Sequence, residues 1–298
     1  MLDTTLCVGA TGLQGGSVAR ALLARGLRVR ALTRKPHGEA AASLRAQGAE
    51  IVEGDLSDLA TLTRAMHGCT RAFGVTNYWE HFGSEVAQGK NLVDAAARAN
   101  VQHLVLSSLA SAEALSGGAL AVPHMDSKAA IERYARLSPV PTTFVHVAFY
   151  FENFLSWFVP RPEADGALHV RLPQGETKLA GIAVADVGEV VASLFARAPR
   201  GETIGVVGDE LSLTDYASGL STALGRDVRY THVDPAAFAA LPFPGAADLA
   251  AMFDLNRRFL HTRAADMHAT RALHPRALAF ADWASRNADA LRAAVATA

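Results

Sequence analysis

Apolar positions in the first half of the chain alternate between short runs and longer stretches with helical spacing. Leu6-Cys7-Val8 is a short apolar run, followed by Gly9-Ala10-Thr11-Gly12-Leu13-Gln14-Gly15-Gly16. Ser17–Arg25 then sets Val18, Ala21, Leu22 and Ala24 on one helical face, with Gly26 as its stop. Arg28–Thr33 alternates like a strand, and a helix over Glu39–Gln47 ends at Gly48. The unit repeats as strand Glu50–Glu53, helix Asp58–His67, strand Arg71–Val75, helix Ser84–Ala99, strand His103–Ser107, helix His124–Leu137 and strand Thr142–Val147. Strands alternating with helices of this length predict βαβ units with right-handed crossovers. The fold class is therefore α/β, a Rossmann-type doubly wound parallel sheet.

After Val147 the rhythm breaks. Phe149–Val159 is dense in aromatics, and Pro160, Pro162 and Pro173 interrupt the next segment. Leu168–Arg171 and Thr177–Leu179 read as short strands. A helix at Asp186–Ala198 and a strand at Thr203–Val207 return to the sheet, and Ser212–Leu224 is a helix capped by Ser212 or Thr214 and closed by Gly225. The remainder reads as Ala-rich helix with loops at Leu241–Gly245 and His274–Pro275. The expected division is a dinucleotide-binding domain over 1–150, rejoined by 182–210. Residues 151–181 and 211–298 form a smaller interleaved α+β lobe, with a cleft between the two above the strand ends.

Composition narrows the classes of function. Of 298 residues, 50% are hydrophobic and 19% charged, which suits a large core and excludes disorder. Lys plus Arg is 28 against 29 for Asp plus Glu, so no basic footprint marks direct nucleic-acid or membrane-surface binding. Two cysteines, Cys7 and Cys69, exclude a disulfide scaffold, and both read as inert. His261, His268 and His274 have no acidic partners at ligand spacing, so no metal site is expected. The first residues lack the basic start and apolar stretch of a signal peptide, and no long uncharged window spans a bilayer, which predicts a cytoplasmic protein. Only four of the 28 basic residues are lysines, at positions 35, 90, 128 and 178.

Gly9, Gly12 and Gly15 lie between a strand and a helix, the context a dinucleotide loop requires. The first allows the tight turn, the second lets backbone approach a pyrophosphate, and the third allows close helix–strand packing. An NAD site places an acid about 20 residues further on, against the ribose 2′-hydroxyl. Here the second strand ends Leu32-Thr33-Arg34-Lys35-Pro36, with two cations and no acid. Arg34 through its planar fork and Lys35 as a point charge suit a 2′-phosphate, so NADP(H) is the expected cofactor. In Gly54-Asp55-Leu56, Asp55 can accept from the adenine amino group while Leu56 packs on the ring.

Short-chain dehydrogenases share this glycine spacing and carry a Tyr-x-x-x-Lys pair on the helix before the sixth strand. This chain reads His124-Met125-Asp126-Ser127-Lys128 there. Together with Gly9–Gly16, Val75-Thr76-Asn77-Tyr78-Trp79-Glu80, Gln88-Gly89-Lys90 and Tyr150-Phe151-Glu152-Asn153, the chain resembles the NmrA-like family of atypical short-chain dehydrogenases. The likeness is closer to the NADP-sensing members of animals than to the fungal nitrogen repressor. It covers nearly the whole chain, including Phe243-Pro244-Gly245-Ala246. The resemblance implies that Gly9, Ala10, Thr11, Gly12, Leu13 and Gln14 meet the pyrophosphate. Thr76, Asn77 and Tyr78 would lie beside the ribose and pyrophosphate, and Lys128 would hold the nicotinamide ribose. Tyr150, Phe151, Glu152 and Asn153 would lie along the nicotinamide, and Lys90 also matches a motif position.

In active members of that superfamily Tyr donates a proton while Lys tunes it. With His124 in the Tyr slot two readings stand: a surrogate acid, or a helix-start residue without chemistry. Ser107 and Ser108 follow the fifth strand, where a substrate-orienting Ser often lies, or are loop serines. Seven of the 21 aromatics fall between Phe144 and Phe158, as an apolar cleft or as core, with core packing favoured for Phe154 and Phe158. Two functions compete. One is an NADP(H) sensor acting through a protein partner, with Arg34–Gly38 and Tyr78–Gly83 as the mobile loops. The other is an NADPH-dependent reductase of small quinones or carbonyls. The missing Tyr favours the sensor. The sequence leaves the oligomeric state open.

Overall fold

Strands covered by helices on both faces are buried throughout their length, and the central strands here have that character. The computed structural model describes residues 3–80 and 82–298. In chain order its elements begin β1 (Thr4–Cys7), α1 (Leu13–Ala24), β2 (Arg28–Thr33), α2 (Glu39–Ala46), β3 (Glu50–Glu53), α3 (Leu59–Met66), β4 (Arg71–Gly74) and α4 (Glu85–Arg98). They continue with β5 (His103–Ser108), α5 (Ala112–Leu115), α6 (Pro123–Arg136), β6 (Thr142–Val147), β7 (Phe149–Tyr150), a 3-10 helix (Phe151–Leu155), β8 (Arg161–Pro162), β9 (Leu168–Leu172) and β10 (Leu179–Ile182). The last are α7 (Val184–Phe195), β11 (Thr203–Val206), β12 (Asp209–Leu211), α8 (Leu213–Leu224), β13 (Val228–His232), α9 (Pro235–Ala239), α10 (Ala246–Phe259), α11 (Ala264–Leu273), α12 (Phe280–Arg286) and α13 (Ala288–Thr297).

Seven strands make one parallel sheet in the order β11-β6-β5-β4-β1-β2-β3, the expected Rossmann-type arrangement. The order reverses at β1, which pairs with β2 on one side and β4 on the other. That reversal opens the crevice at the carboxyl ends of β1 and β4 in which such sheets bind ligands. All six residues of β5 are buried. No helix among the described residues is long and apolar enough to cross a membrane.

The chain separates into two units. The first comprises residues 1–111, 124–147 and 184–204, the second residues 112–123, 148–183 and 205–298. Within the first, α1 lies directly on α7: a Cβ on Gly188 would stand 2.4 Å from the Ser17 carbonyl oxygen. The Ser17 hydroxyl donates to the Val184 carbonyl at 2.6 Å and accepts from the Gly188 amide at 3.1 Å. Helix α6 is tied to β6 by a cluster around Glu132. His146 Nε2 lies 2.8 Å and Arg136 Nη2 2.7 Å from its carboxylate, and the Arg136 guanidinium stacks 4.2 Å over the Phe144 ring. Burial pushes the Glu132 carboxyl up, but the bonds from His146 and Arg136 outweigh it and hold the group near pH 2.

The second unit has two three-stranded sheets, β12-β10-β7 and β13-β9-β8. Its core is aromatic: Phe151, Phe154, Tyr216, Phe280 and Trp283 are all buried, with the Tyr216 and Phe280 rings 4.5 Å apart edge to face. Tyr216 donates its hydroxyl proton to the Leu179 carbonyl at 3.1 Å, and the Trp283 indole donates to Glu152 at 3.2 Å. The helical reading after Gly225 needs one correction. Residues Val228–His232 are a strand, paired in parallel with β9 from Val228 opposite Leu168 to His232 opposite Leu172. Val228 is buried in the unit's core and Tyr230 packs against it, a period of two that a five-residue polar-looking segment hides. Helix α8 is capped by Ser212, whose side chain forms a capping box with Asp215, and closed by Gly225 with φ of 66°, as its sequence requires.

His103 in β5 supplies a pH test. Burial, and then the nearby Arg71 charge, pull its imidazole down to about 4. Its neutral ring shares a 3.0 Å hydrogen bond with Thr143. In the unfolded chain the same ring titrates near 6.5. Below that pH the unfolded state takes up a proton the folded state refuses, so stability present above pH ~6.5 is lost as pH falls toward 4. Between pH 6.5 and 4.5 the contribution is about 2–3 kcal/mol. Urea unfolding of His103→Gln across that window should show a flatter profile than the wild type by that amount; parallel profiles would refute the assignment.

Candidate functional site

The glycine loop is built as its spacing requires. Gly9 has φ of +63°, in the left-handed region, and makes the turn out of β1. A Cβ on Gly15 would lie 2.4 Å from the carbonyl oxygens of Val8 and Gly9, so only glycine lets α1 start this close to the strand. Gly12 is the N-cap of α1; no side chain caps this end and no acid occupies its first turn. The helix therefore presents amide donors and a positive dipole end at the crevice. Leu13 is 56% exposed there, whereas Ala10 and Gln14 are buried. The Gln14 amide bonds the Ser107 hydroxyl at 2.9 Å, and Thr11 shares a 3.1 Å bond with Thr33 at the end of β2. Ser107 is thus an internal partner of the loop, and buried Ser108 donates to the Lys128 carbonyl at 3.1 Å.

Beyond β2, Arg34 and Lys35 are exposed. Arg34 is not idle: its Nη2 lies 2.5 Å from Glu80, and its Nε lies 4.0 Å from Asp55. Asp55 accepts from the Ser57 amide at 2.7 Å, while α3 takes its cap from Asp58, so Asp55 serves no helix. Leu56 is half-buried, and its carbonyl accepts from Asn91 on α4 at 3.0 Å.

A buried ion pair joins the start of α4 to α6. Glu85, 1% exposed, accepts from Lys128 Nζ at 2.7 Å, from Thr76 Oγ1 at 2.7 Å and from the Ser127 hydroxyl. Lys128 also donates to the Thr76 carbonyl at 2.9 Å and reaches its hydroxyl at 3.0 Å. An ammonium has three protons, and all three have protein partners. Glu85 escaped the sequence reading because an acid in a first helical turn looks like ordinary dipole complement. Its spacing from Lys128 becomes a contact only through the tertiary fold.

His124 is buried at the start of α6, its ring 5.1 Å from that of Trp79 and 6.2 Å from that of Tyr78. Tyr78 in turn packs edge-on against Trp79 and Phe82. Asn77 is exposed, and its side chain accepts from the Trp79 amide at 3.2 Å. His81, inside the Tyr78–Gly83 loop, lies outside the described residues. The structure thus brings the glycine loop, Arg34 and Asp55 to the strand ends, and Thr76, Tyr78, His124 and Lys128 into one neighbouring network.

Other expected positions have contacts of their own. The Lys90 ammonium lies 5.2 Å over the Tyr134 ring, on the α4–α6 side, and Tyr134 gives its hydroxyl to Asp94 at 2.7 Å. Phe151 is sealed in the core of the second unit, between Phe280 and Trp283, so it offers no ring face to a ligand. Glu152 is bound to Trp283 in the same unit, with Tyr150 and Asn153 half-buried beside it in the chain. Burial, and then the Glu152 charge, push the Tyr150 phenol above the ordinary tyrosine range. Phe154 is core as well, whereas Trp157 is 58% exposed. Among the described residues no group of three His, Cys, Asp or Glu could hold a metal ion.

The model of the NmrA-like family matches residues 1–283 of this chain. The chain belongs to the NmrA-like family. Among its curated relatives, the NmrA-like oxidoreductase FrzB of Cladobotryum is 34% identical over 273 residues, covering 83% of this chain and 81% of its own. The oxidoreductase hkm9 of Aspergillus hancockii is 32% identical, covering 84% and 81%. Among solved structures, NmrA, described as a negative transcriptional regulator, superposes with a TM-score of 0.83 at 26% identity over 96% of this chain and 95% of its own. It has been solved in complex with NAD and in complex with NADP. The Escherichia coli NADPH-dependent quinone oxidoreductase, at 24% identity and a TM-score of 0.78, shares the fold with this NmrA-like chain.

The buried pair yields a stability prediction. Lys128→Met leaves Glu85 charged and uncompensated and should cost about 3–5 kcal/mol. The double variant Glu85→Gln/Lys128→Met removes both charges and should regain most of that loss. Chemical unfolding measures both; a single-variant loss below about 1 kcal/mol would show the pair to be solvated.

Proposed function

We propose that this NmrA-like protein is an NADP(H)-binding regulator whose cofactor occupancy alters its affinity for a protein partner, not a short-chain reductase. The observation that carries this reading is the Lys128 network. In a proton-donating pair the ammonium faces a phenol and the cofactor ribose; here Glu85 and Thr76 take all three of its protons. The residue four positions before it is His124, packed against the rings of Trp79 and Tyr78. General acid catalysis is typically worth 10²–10⁴-fold, and the Tyr that supplies it in the active superfamily members is His124 here.

The residues fit a dinucleotide. The uncapped start of α1 and the Gly15 cradle suit the pyrophosphate, Asp55 and Leu56 the adenine, and Arg34 with Lys35 a 2′-phosphate. A bound cofactor would supply a hydride from its nicotinamide. Gly9–Gln14 bind and orient its phosphates, and Thr76, Asn77 and Tyr78 flank its ribose end. The second reading, an NADPH-dependent reductase of quinones or carbonyls, is favoured by the naming of FrzB and hkm9 as oxidoreductases.

Two measurements separate the readings. Calorimetric titration should show at least tenfold tighter binding of NADPH than NADH, and Arg34→Ala should lose most of that preference. A charge-assisted pair of about 1.5–3 kcal/mol corresponds to one to two decades of affinity. Offered small quinones, aldehydes and ketones, the NADPH-loaded wild type should show no oxidation above background. Steady turnover with any of them would overturn the regulator reading in favour of the reductase.

A further inference from the structure

The Arg34 corner is not net positive. Arg34 and Lys35 contribute two positive charges, and Glu80 and Asp55, the two carboxylates against Arg34, contribute two negative ones. The tighter contact is with Glu80, which comes from the loop after β4 and not from the β2–β3 side of the sheet. Arg34 is 47% exposed and Glu80 51%, so the pair lies in water, where such contacts are weak and exchangeable. Arg is the residue suited to bidentate recognition of phosphate, and a phosphate dianion is a stronger partner for it than one exposed carboxylate. A ribose 2′-hydroxyl carries no charge and has no reason to break the pair.

We propose that Glu80 is an internal competitor for the 2′-phosphate, a cofactor-specificity residue that must leave Arg34 when a phosphorylated dinucleotide binds and stays when an unphosphorylated one does. The inference rests on the reading that Arg34 receives the 2′-phosphate. Its consequence is that the chain discriminates less steeply between NADPH and NADH than Arg34 and Lys35 alone would dictate. The cost of displacing Glu80 falls only on the phosphorylated cofactor. Because Tyr78 and Trp79, the two residues before Glu80, pack on His124 of α6, release of Glu80 acts on a segment anchored at its start to that helix. The 2′-phosphate, and not the nicotinamide, is then the part of the cofactor that this loop reads.

The test is a double-mutant cycle read by calorimetric binding of NADPH and NADH to the wild type, Glu80→Gln, Arg34→Ala and the double variant. Glu80→Gln should bind NADPH about threefold to fivefold more tightly, the scale of a displaced exposed ion pair, with NADH unchanged. In the Arg34→Ala background the same substitution should have no effect. Raising the salt concentration should shrink the gain, since both competing pairs are screened. If Arg34→Ala abolishes the NADPH preference while Glu80→Gln leaves NADPH binding unchanged, or shifts both cofactors equally, the competitor role is wrong and the 2′-phosphate reading survives. If Arg34→Ala leaves the NADPH-to-NADH ratio unaltered, the 2′-phosphate reading itself falls and the inference with it.

Discussion

A carboxylate with 1% exposure cannot stay ionised inside a protein without partners, and the first unit is arranged around supplying them to Glu85. Its partners come from two separate places: Thr76 after β4, and Ser127 and Lys128 on α6. Meeting them at once fixes the start of α4, the loop above β4 and the first turns of α6 in one register. The rest of α6 is held independently by the Glu132 cluster on β6, so the helix is pinned at two heights. His124 inherits its position from this arrangement, being one turn before the lysine. The same pinning gives the Lys128 ammonium its contacts with Glu85 and Thr76.

Much of the parallel sheet was legible in the sequence because its signals are local. Arg28–Thr33, Glu50–Glu53 and Thr142–Val147 have the bounds their runs predict, since each is a self-contained stretch between turn residues. The glycine loop was legible for the same reason: the turn, the close approach and the uncapped helix are all set within eight residues. What escaped depends on distant partners. Val228–His232 carries Arg229, Thr231 and His232 and looks polar, and becomes a strand only because β9 offers it an edge. The aromatic setting of Phe151 was not legible either, because the rings that enclose it, Tyr216, Phe280 and Trp283, lie 65 or more positions away in the chain. Glu85 gave no sign at all, and Glu80 stood in a family motif without a role of its own. An acid among helical or loop residues is commonplace, and what makes these two distinctive is the cation each one meets.

The loop after β4 joins the two charged centres. Trp79 rests on His124, and the next residue, Glu80, holds Arg34. Two successive side chains thus reach from the slot of the superfamily's proton donor to the corner where a 2′-phosphate would sit. A switch needs an element with two arrangements that a ligand distinguishes, and the energy separating them must lie within what the ligand supplies. The Glu80–Arg34 and Trp79–His124 contacts are each of that size. An exposed ion pair is worth at most about 1 kcal/mol, and an aromatic contact about 0.5–1.5 kcal/mol beyond its burial. The Glu85–Lys128 pair beside it is several times costlier to break. A ligand that engaged Arg34 would exchange the weaker of these contacts first. A buried charge pair and a weaker exposed one thus lie in the same part of the first unit, and they differ several-fold in what it costs to break them.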